Sequence, residues 1–424
     1  MSLVKSLKRF SIIAFAVIIG FAFLACSVST PEVEKPGGEG PVVGDDLPAL
    51  RTDIISPGHT TLKSWSGTTA AALVGNIKLG WNLGNTFDAH GNEKGFSWLG
   101  GGVYANTSVA DMEKAWVGSV TTKANITAIK NAGFNAIRIP VTWYKALNND
   151  YIIREDWLKR VTEVINWAEE NDMYIILNTH HDEGIYKFTN AEVDKSLMIF
   201  KRVWTQIATQ FQNYNEKLIF EGLNEPRTKD GQDEWNGGTS AERANLNKYY
   251  KVFVDTVRAA GGNNDKRFLM ITTYAASAGQ IAVDGLVLPN DTAANSLIVS
   301  IHAYTPYNFA LNTSAAFNTW SSGNSSDTSA IVNALTPAYT KFVTKGIPVI
   351  MGEFGAMNKN NDAAREAWAE YYVQQARNRQ IPCFWWDNAS TSGNGELFGL
   401  LNRSTNAIIY PQVMNGLKRG AGIQ

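Results

Sequence analysis

Short apolar runs alternate with longer amphipathic stretches from about residue 70 to the end of the chain. Continuous apolar runs are typical of buried parallel strands, whereas apolar positions that recur every three or four residues are typical of helices. Eight such runs predict strands at residues 77–81, 136–140, 174–178, 218–222, 268–272, 297–302, 348–352 and 382–386. The intervening stretches predict helices near 122–132, 155–171, 193–213, 241–260, 328–345, 362–379 and 410–419, with a poorly marked helix after the fifth strand.

The regular order of strand and helix predicts the fold class. Strands that alternate with helices form a parallel sheet, because each connection must cross back over the sheet before the next strand begins. Eight repeats of this unit predict an α/β protein with a (β/α)8 TIM barrel. A doubly wound open sheet is the competing architecture, but no G-x-G-x-x-G sequence follows the first strand, and this favours the barrel.

Polar, titratable and aromatic residues gather where seven of the eight predicted strands end. In a barrel these ends meet at one face, and function is concentrated there. Three of the five histidines of the chain belong to this set. Its members are the candidate site residues Asn82, Arg138, Trp143, His180, His181, Asn224, Glu225, His302, Tyr304, Glu353, Trp386 and Asn388.

Two glutamates in this set suggest a specific chemistry. Glu225 and Glu353 each follow an apolar run, so the two carboxyl groups are expected to face each other across a pocket. Hydrolysis of a glycosidic bond uses such a pair, with one carboxyl group protonated and the other ionised. Surface carboxylates at strand ends are also common, so neither glutamate establishes this chemistry alone. The other residues at the strand ends favour the catalytic interpretation.

Composition narrows the range of partners. The formal net charge is −1, which gives no electrostatic footprint for nucleic acid, and no cofactor is predicted. The 13 Trp and 15 Tyr include candidate platforms for the faces of sugar rings, although most are expected in the core. Cys383 lies in an apolar run and is expected to be a buried core residue.

The N-terminus has the features of an export signal. Basic residues precede an apolar run over residues 10–25, which is short for a membrane span, and Cys26 follows it. This pattern resembles a bacterial lipoprotein processing site, with lipidation of Cys26 and location at the cell surface or outer membrane. Ordinary secretion is the alternative. The predicted organisation is a signal peptide over 1–25, a flexible tether over 26–60 and a catalytic domain over 61–424.

The chain resembles glycoside hydrolase family 5 over roughly residues 70–420. The resemblance is carried by GWNLGNTFDA, GFNAIRIPVTW, NTHHD, FEGLNEP, HAYTPY, MGEFG and FWWDN, and it is greatest to the bacterial endo-β-1,4-glucanase branch. It implies that Glu225 is the acid/base and Glu353 is the nucleophile of a retaining double displacement. The substrate implied is a β-glucan such as cellulose.

Supporting roles follow from this resemblance together with the expected barrel. Arg138 and Tyr304 are expected to bind Glu353, and Asn224 is expected to bind the sugar 2-hydroxyl. His302 should share a strand face with Tyr304, and His180 should form an inner contact. The predicted substrate-binding residues are Asn82, Trp143, His181, Trp386 and Asn388, while Trp385 should pack in the core. No metal is predicted, because adjacent residues of a strand point to opposite faces, so His180 and His181 should not share an ion.

Several alternatives remain open at the level of sequence. A xyloglucanase, a mixed-linkage glucanase or a β-mannanase would use the same two glutamates. A catalytically inactive glycan-binding lipoprotein would need aromatic residues but not Glu225, Glu353, Arg138 and Tyr304 together. Long loops at 90–118 and 308–328 are expected to shape the cleft, and a monomer is the default expectation.

Overall fold

The eight predicted strands form a closed parallel barrel in the computed structural model, which describes residues 47–90 and 107–424. The strands pair in chain order, and the last closes the barrel against the first. Their bounds are β1 Gly80–Leu83, β2 Ala136–Ile139, β3 Tyr174–Asn178, β4 Leu218–Glu221, β5 Leu269–Ser277, β6 Leu297–His302, β7 Val349–Phe354 and β8 Cys383–Asp387. The predicted (β/α)8 fold is therefore confirmed.

Helices surround this barrel in the described part of the chain. Their bounds are α1 Ala70–Asn76, α2 Val109–Lys114, α3 Lys123–Ala132, α4 Glu155–Glu170, α5 Val193–Phe211, α6 Ser240–Ala259, α7 Gln280–Gly285, α8 Tyr307–Ala310, α9 Ser325–Lys341, α10 Asp362–Arg377 and α11 Pro411–Ala421. The poorly marked helix after the fifth strand is α7, which has only six residues. Among these described helices, none has both the length and the apolar character needed to cross a lipid bilayer.

The lower barrel interior is apolar and the upper interior is polar. Ile176, Ile219 and Ile350 pack together at the N-terminal end of the barrel, and Leu73 of α1 joins the same cluster. Gly80 lies against the Phe384 ring, where a Cβ atom would come within 2.2 Å of a ring carbon. Apolar packing thus fills the base of the barrel and leaves the C-terminal end for polar side chains.

Two predicted boundaries need correction. The first strand begins at Gly80 rather than at residue 77, because Ile77 ends α1 and donates its N–H to the Val74 carbonyl. Residues 47–60 were expected to belong to the tether, but this segment packs on the barrel. Ile55 is buried and exchanges two backbone hydrogen bonds, of 2.8 and 2.7 Å, with the side chain of Gln210. The signal, Cys26 and the rest of the tether lie outside the described residues.

Candidate active site

The barrel brings Glu225 and Glu353 to the same end of the sheet. Glu225 lies four residues beyond β4, and Glu353 lies within β7 rather than after it. One carboxylate oxygen of each glutamate and a ring nitrogen of His302 all lie within 4.8 Å of one another. Carboxyl groups about 5–5.5 Å apart are typical of retaining glycosidases, whereas inverting enzymes need more space for a water molecule. The geometry therefore fits the retaining class.

Glu353 has two charge-stabilising partners. Nη1 of Arg138 donates to Oε1 at 2.7 Å, and the Tyr304 hydroxyl donates to Oε2 at 2.8 Å. Both contacts bring a donor to the carboxylate and fix its orientation. The predicted partnership of Arg138, Tyr304 and Glu353 is thus present in the structure.

Arg138 is itself held by several acceptors inside the barrel. Its Nε donates to Glu221 at 2.6 Å, Nη1 donates also to Asn82 at 3.0 Å, and Nη2 donates to Asn224 at 2.7 Å. Burial opposes the guanidinium charge, but Glu221 and Glu353 outweigh it and raise the pKa of Arg138. Two carboxylate partners compensate the charge of this buried cation, whereas burial of an unpaired cation would cost several kcal/mol of free energy.

Glu225 lies in surroundings that differ from those of Glu353. Its Oε1 is 2.9 Å from Nδ1 of His302, and its Oε2 is 3.8 Å from Nη1 of Arg227. Burial raises the pKa of Glu225, and Arg227 opposes this increase only in part. Burial also lowers the pKa of His302 to about 4, so its imidazole is neutral near pH 7. Glu225 is therefore the carboxyl group suited to hold a proton.

His302 reaches Glu225 through a close approach of two strands. A Cβ atom on Gly352 would lie 2.9 Å from Nε2 of His302 and 2.5 Å from Oγ of Ser300. Glycine at this position leaves room for the imidazole between β6 and β7.

Trp386 and His180 lie side by side, and both side chains are largely buried. Their rings are nearly parallel, at 3° with centroids 5.7 Å apart. Asn178 Oδ1 accepts from the Val141 N–H, so its Nδ2 donates to Nδ1 of His180 at 3.1 Å and leaves the ring proton on Nε2. Burial is the main reason that the pKa of His180 lies well below its ordinary value. His180 is therefore a neutral donor beside Trp386.

His181 lies one step further out among aromatic rings. Its ring centroid is 4.7 Å from that of His90 and 6.0 Å from that of Trp116. Burial lowers its pKa, but Glu183, with Oε1 3.6 Å from Nδ1, outweighs burial and raises it. The His181 side chain is 22% exposed, and its predicted contact with a sugar stays a prediction.

Three predicted sugar-binding residues are instead structural. Trp143 is fully buried and donates its indole N–H to the Asn178 carbonyl at 2.9 Å. Asn82 is fully buried and donates to the Gly352 carbonyl at 2.9 Å while its oxygen binds Arg138. Asn388 donates to the Glu396 carbonyl at 2.9 Å and accepts two backbone N–H groups. These three side chains are buried and hydrogen-bonded within the protein, which argues against the predicted sugar contacts.

Trp385 points away from the cleft, as expected. It is fully buried and donates its indole N–H to the Phe398 carbonyl at 2.9 Å. Cys383 is also buried, in agreement with its prediction as a core residue. The alternation of side chains along β8 therefore separates Trp386 at the site from Trp385 in the core.

Sequence reasoning missed four charged or aromatic residues around the two glutamates. Glu221 was read as part of an apolar run, although a charge inside a buried strand signals a buried partner. Arg227 and Glu183 form an ion pair of 3.2 Å beside Glu225, and Trp235 lies over Arg227. The position of Arg227 two residues after Glu225 could have predicted its contact with that glutamate. The contact of Trp235 with Arg227 depends on the loop conformation and could not be predicted from the sequence.

The prediction that His180 and His181 point to opposite faces of a regular strand is wrong. His180 and His181 follow the end of β3, outside the regular strand, and both offer a nitrogen within 4.8 Å of an oxygen of Asp88. Burial raises the pKa of Asp88, and its oxygens accept the N–H groups of Asn85 and Thr86 at 2.9 and 2.6 Å. Both oxygens of Asp88 therefore have hydrogen-bond donors, and the absence of a metal here stays a prediction.

The long loops are described unequally. Residues 91–106 of the predicted loop 90–118 lie outside the described residues. The loop at 308–328 contains the end of α8 and the start of α9. Lys359 donates to the carbonyl oxygens of Asn308, Phe309 and Phe317, at 2.7, 2.8 and 3.0 Å, and thereby fastens this loop to the segment after β7.

Comparison with known proteins places this geometry in a family. The family model for Cellulase (glycosyl hydrolase family 5) matches residues 95–392. Endoglucanase B of Ruminococcus albus is 43% identical over 370 residues, which cover 87% of this chain and 84% of the relative. A "GH5-4 broad specificity endoglucanase" from Ruminococcus champanellensis with bound cellotriose has a TM-score of 0.79 at 45% identity, covering 84% of this chain and 99% of that structure. A GH5 lichenase from Caldicellulosiruptor sp. F32 has a TM-score of 0.78 at 39% identity, covering 88% and 99%. The chain therefore belongs to glycosyl hydrolase family 5 and is a glycoside hydrolase on a (β/α)8 barrel.

Proposed function

We propose that this protein is a retaining endo-β-1,4-glucanase that hydrolyses internal bonds of cellulose or related β-glucans by double displacement. The observation that carries this proposal is the short separation of two carboxyl groups in unequal surroundings. Glu353 is bound by a cation and a hydroxyl, whereas Glu225 is buried and has a raised pKa. One group is therefore prepared to attack and the other to donate a proton.

In the first step, Glu353 attacks the anomeric carbon of the bound glucosyl unit. The bond from that carbon to the leaving oxygen breaks, and Glu225 gives its proton to this oxygen. Arg138 and Tyr304 hold the attacking carboxylate in place. The amide oxygen of Asn224 accepts a hydrogen bond from Arg138, so its amide nitrogen is the group that donates to the sugar 2-hydroxyl. The product is a glycosyl ester on Glu353.

In the second step, a water molecule opens the ester. Ester formation removes the negative charge of Glu353, which lowers the pKa of Glu225 and makes it a base. Glu225 takes a proton from the water as its oxygen bonds to the anomeric carbon, and Glu353 leaves as a carboxylate. Neutral His302 can accept a hydrogen bond from protonated Glu225 or donate one to the ionised form, depending on which ring nitrogen holds its proton.

Mixed-linkage β-glucan is a second candidate substrate. The support is the similarity to a lichenase and to an endoglucanase described as having broad specificity. Trp386 and His180 offer a ring face and an N–H donor, which serve a glucosyl unit of either polymer. The two candidate substrates use the same pair of glutamates.

A polysaccharide panel with purified residues 27–424 tests the function. Cellulose derivatives, mixed-linkage glucan, xyloglucan and mannan are compared by new reducing ends and by viscosity, because internal cleavage lowers viscosity early. Glu353→Ala is expected to lose about 10⁴-fold or more of kcat, and Glu225→Ala at least about 100-fold. Glu366→Ala, on the surface of α10, is the matched control. Near-full turnover in either active-site variant would disprove the assigned roles.

We also propose that the protein is exported as a monomeric lipoprotein anchored through Cys26. This rests on the basic N-terminus, the apolar run and the cysteine that follows it. Expression of the full chain with labelled fatty acid should label the wild type and not Cys26→Ser. Labelling of both the wild type and Cys26→Ser, or of neither, would contradict the lipid anchor. Light scattering of residues 27–424 gives the molar mass and so tests whether the protein is a monomer.

A further inference from the structure

Trp235 is an exposed indole on the loop of residues 226–238, which follows β4. It is 58% exposed, which is unusual for a large apolar side chain. The guanidinium carbon of Arg227 lies 4.4 Å from the centroid of its ring. A cation on one face supports the ring through a cation–π contact and leaves the opposite face to the solvent.

The loop that carries Trp235 is fixed by its own hydrogen bonds. Glu234 accepts from Nε of Arg227 at 2.8 Å and from the Asp230 N–H at 2.9 Å, so both of its oxygens are used. The Tyr274 hydroxyl accepts from the Thr228 N–H at 2.8 Å. A ring held in this way contacts a ligand without first losing the conformational freedom of a mobile loop.

Arg227 connects this ring to the acid/base. Its Nη1 donates to the Glu225 carbonyl at 3.0 Å and lies 3.8 Å from the carboxylate. These contacts keep the Trp235 centroid within about 10 Å of the Glu225 carboxyl. Since Glu225 donates its proton to the leaving oxygen, a ring this near to Glu225 is within reach of the leaving sugar.

We propose that Trp235, supported by Arg227, is a binding platform for a β-glucosyl unit of the leaving group. The proposal rests on the proposed function and adds a binding site for the part of the substrate beyond the cleaved bond. The open face of the indole packs against the C–H groups of the sugar ring.

The same platform binds an acceptor sugar at the glycosyl-ester stage. An acceptor hydroxyl then replaces water: its oxygen bonds to the anomeric carbon, its proton passes to Glu225, and the bond to Glu353 breaks. Trp235 thus promotes transfer of the glycosyl group to sugars as well as cleavage of long chains.

Two substrates separate this role from a general effect on the enzyme. Cellopentaose places glucosyl units beyond the cleaved bond, whereas a nitrophenyl β-cellobioside has a leaving group without a sugar. Trp235→Ala is expected to lose about tenfold or more of kcat/KM on cellopentaose, as one aromatic contact is removed. Its kcat/KM on the aryl cellobioside should stay within about twofold of wild type. Transfer to added cellobiose should fall with the cellopentaose activity.

Two further variants complete the experiment. Trp235→Phe keeps an aromatic face and should recover most of the loss. Trp65→Ala removes a tryptophan that also lies near a cation, with Nζ of Lys266 5.6 Å from its ring centroid. It packs at the opposite end of the barrel, so its loss should affect neither substrate selectively. Equal losses on both substrates, or no loss on cellopentaose, would overturn the platform. A wild type that hydrolyses neither substrate would instead contradict the proposed function.

Discussion

His302 is a buried base that stays neutral beside Glu225, the proposed proton donor, and this should make the fold sensitive to acid. Burial lowers its pKa to about 4, whereas histidine in an unfolded chain has a pKa near 6.5. Between these values the unfolded chain binds a proton that native His302 does not. The free energy of unfolding should therefore fall as the pH drops from 6.5 to 4, by about 3 kcal/mol from this group.

The contribution of Glu225 must be removed before this effect is measured. Its raised pKa acts in the opposite direction, since stability from this group is lost as the pH rises. Glu225→Gln removes that titration and keeps an amide beside Nδ1 of His302. The comparison is then Glu225→Gln alone against Glu225→Gln with His302→Asn, because Asn retains a polar group near the position of Nδ1.

Urea unfolding of both chains at several pH values between 4 and 7 gives the result. The chain that retains His302 should lose about 3 kcal/mol more than the His302→Asn chain over this interval. The m-value should be the same at each pH, so that the difference reports stability. Parallel curves for the two chains would refute the reasoning, because His302 would then be titrating as it does in the unfolded chain.

Three further predictions concern neighbouring groups. Arg227→Gln should move the basic limb of the pH profile of kcat/KM to higher pH, because the guanidinium lowers the pKa of Glu225. Arg227→Lys should move that limb less, and a shift to lower pH would contradict this reasoning. Tyr304→Phe should lower kcat/KM on an aryl cellobioside about 10- to 100-fold through loss of the hydrogen bond to Glu353, and unchanged kinetics would argue against that role. Trp143→Phe loses the indole hydrogen bond and should lower the free energy of unfolding by about 1–3 kcal/mol without raising KM. Urea titration and steady-state kinetics measure the two quantities. A raised KM at unchanged stability would instead indicate that Trp143 contacts the sugar.

The barrel was readable from sequence because its lower interior is apolar and its strands alternate with helices. Two of the errors in strand bounds lie where the interior becomes polar. A rule that ends a strand at the first polar residue fails for β1, which continues through buried Asn82. It fails again for β7, where Glu353 lies inside the strand.

The meeting of Glu225 and Glu353 at one end of the barrel was predictable for a different reason. Parallel strands place their C-terminal ends together, so residues at those ends could be grouped before any distance was known. Which side chain faces the cleft could not be obtained in this way for Trp143, Asn82 and Asn388. Their hydrogen bonds run to backbone groups of other segments, and a linear pattern contains no information on such partners.

The position of Arg138 also has a consequence for how the protein folds. It binds Glu221, 83 residues further along the chain, and Glu353, 215 residues further. Contacts between such distant residues form slowly, because long loops must close before the contacts contribute stability. A nascent chain that has emerged through β4 can pair Arg138 with Glu221 but still lacks Glu353, the proposed nucleophile. Recovery of activity after denaturation should therefore follow the recovery of helical signal, and it reports closure of the whole barrel.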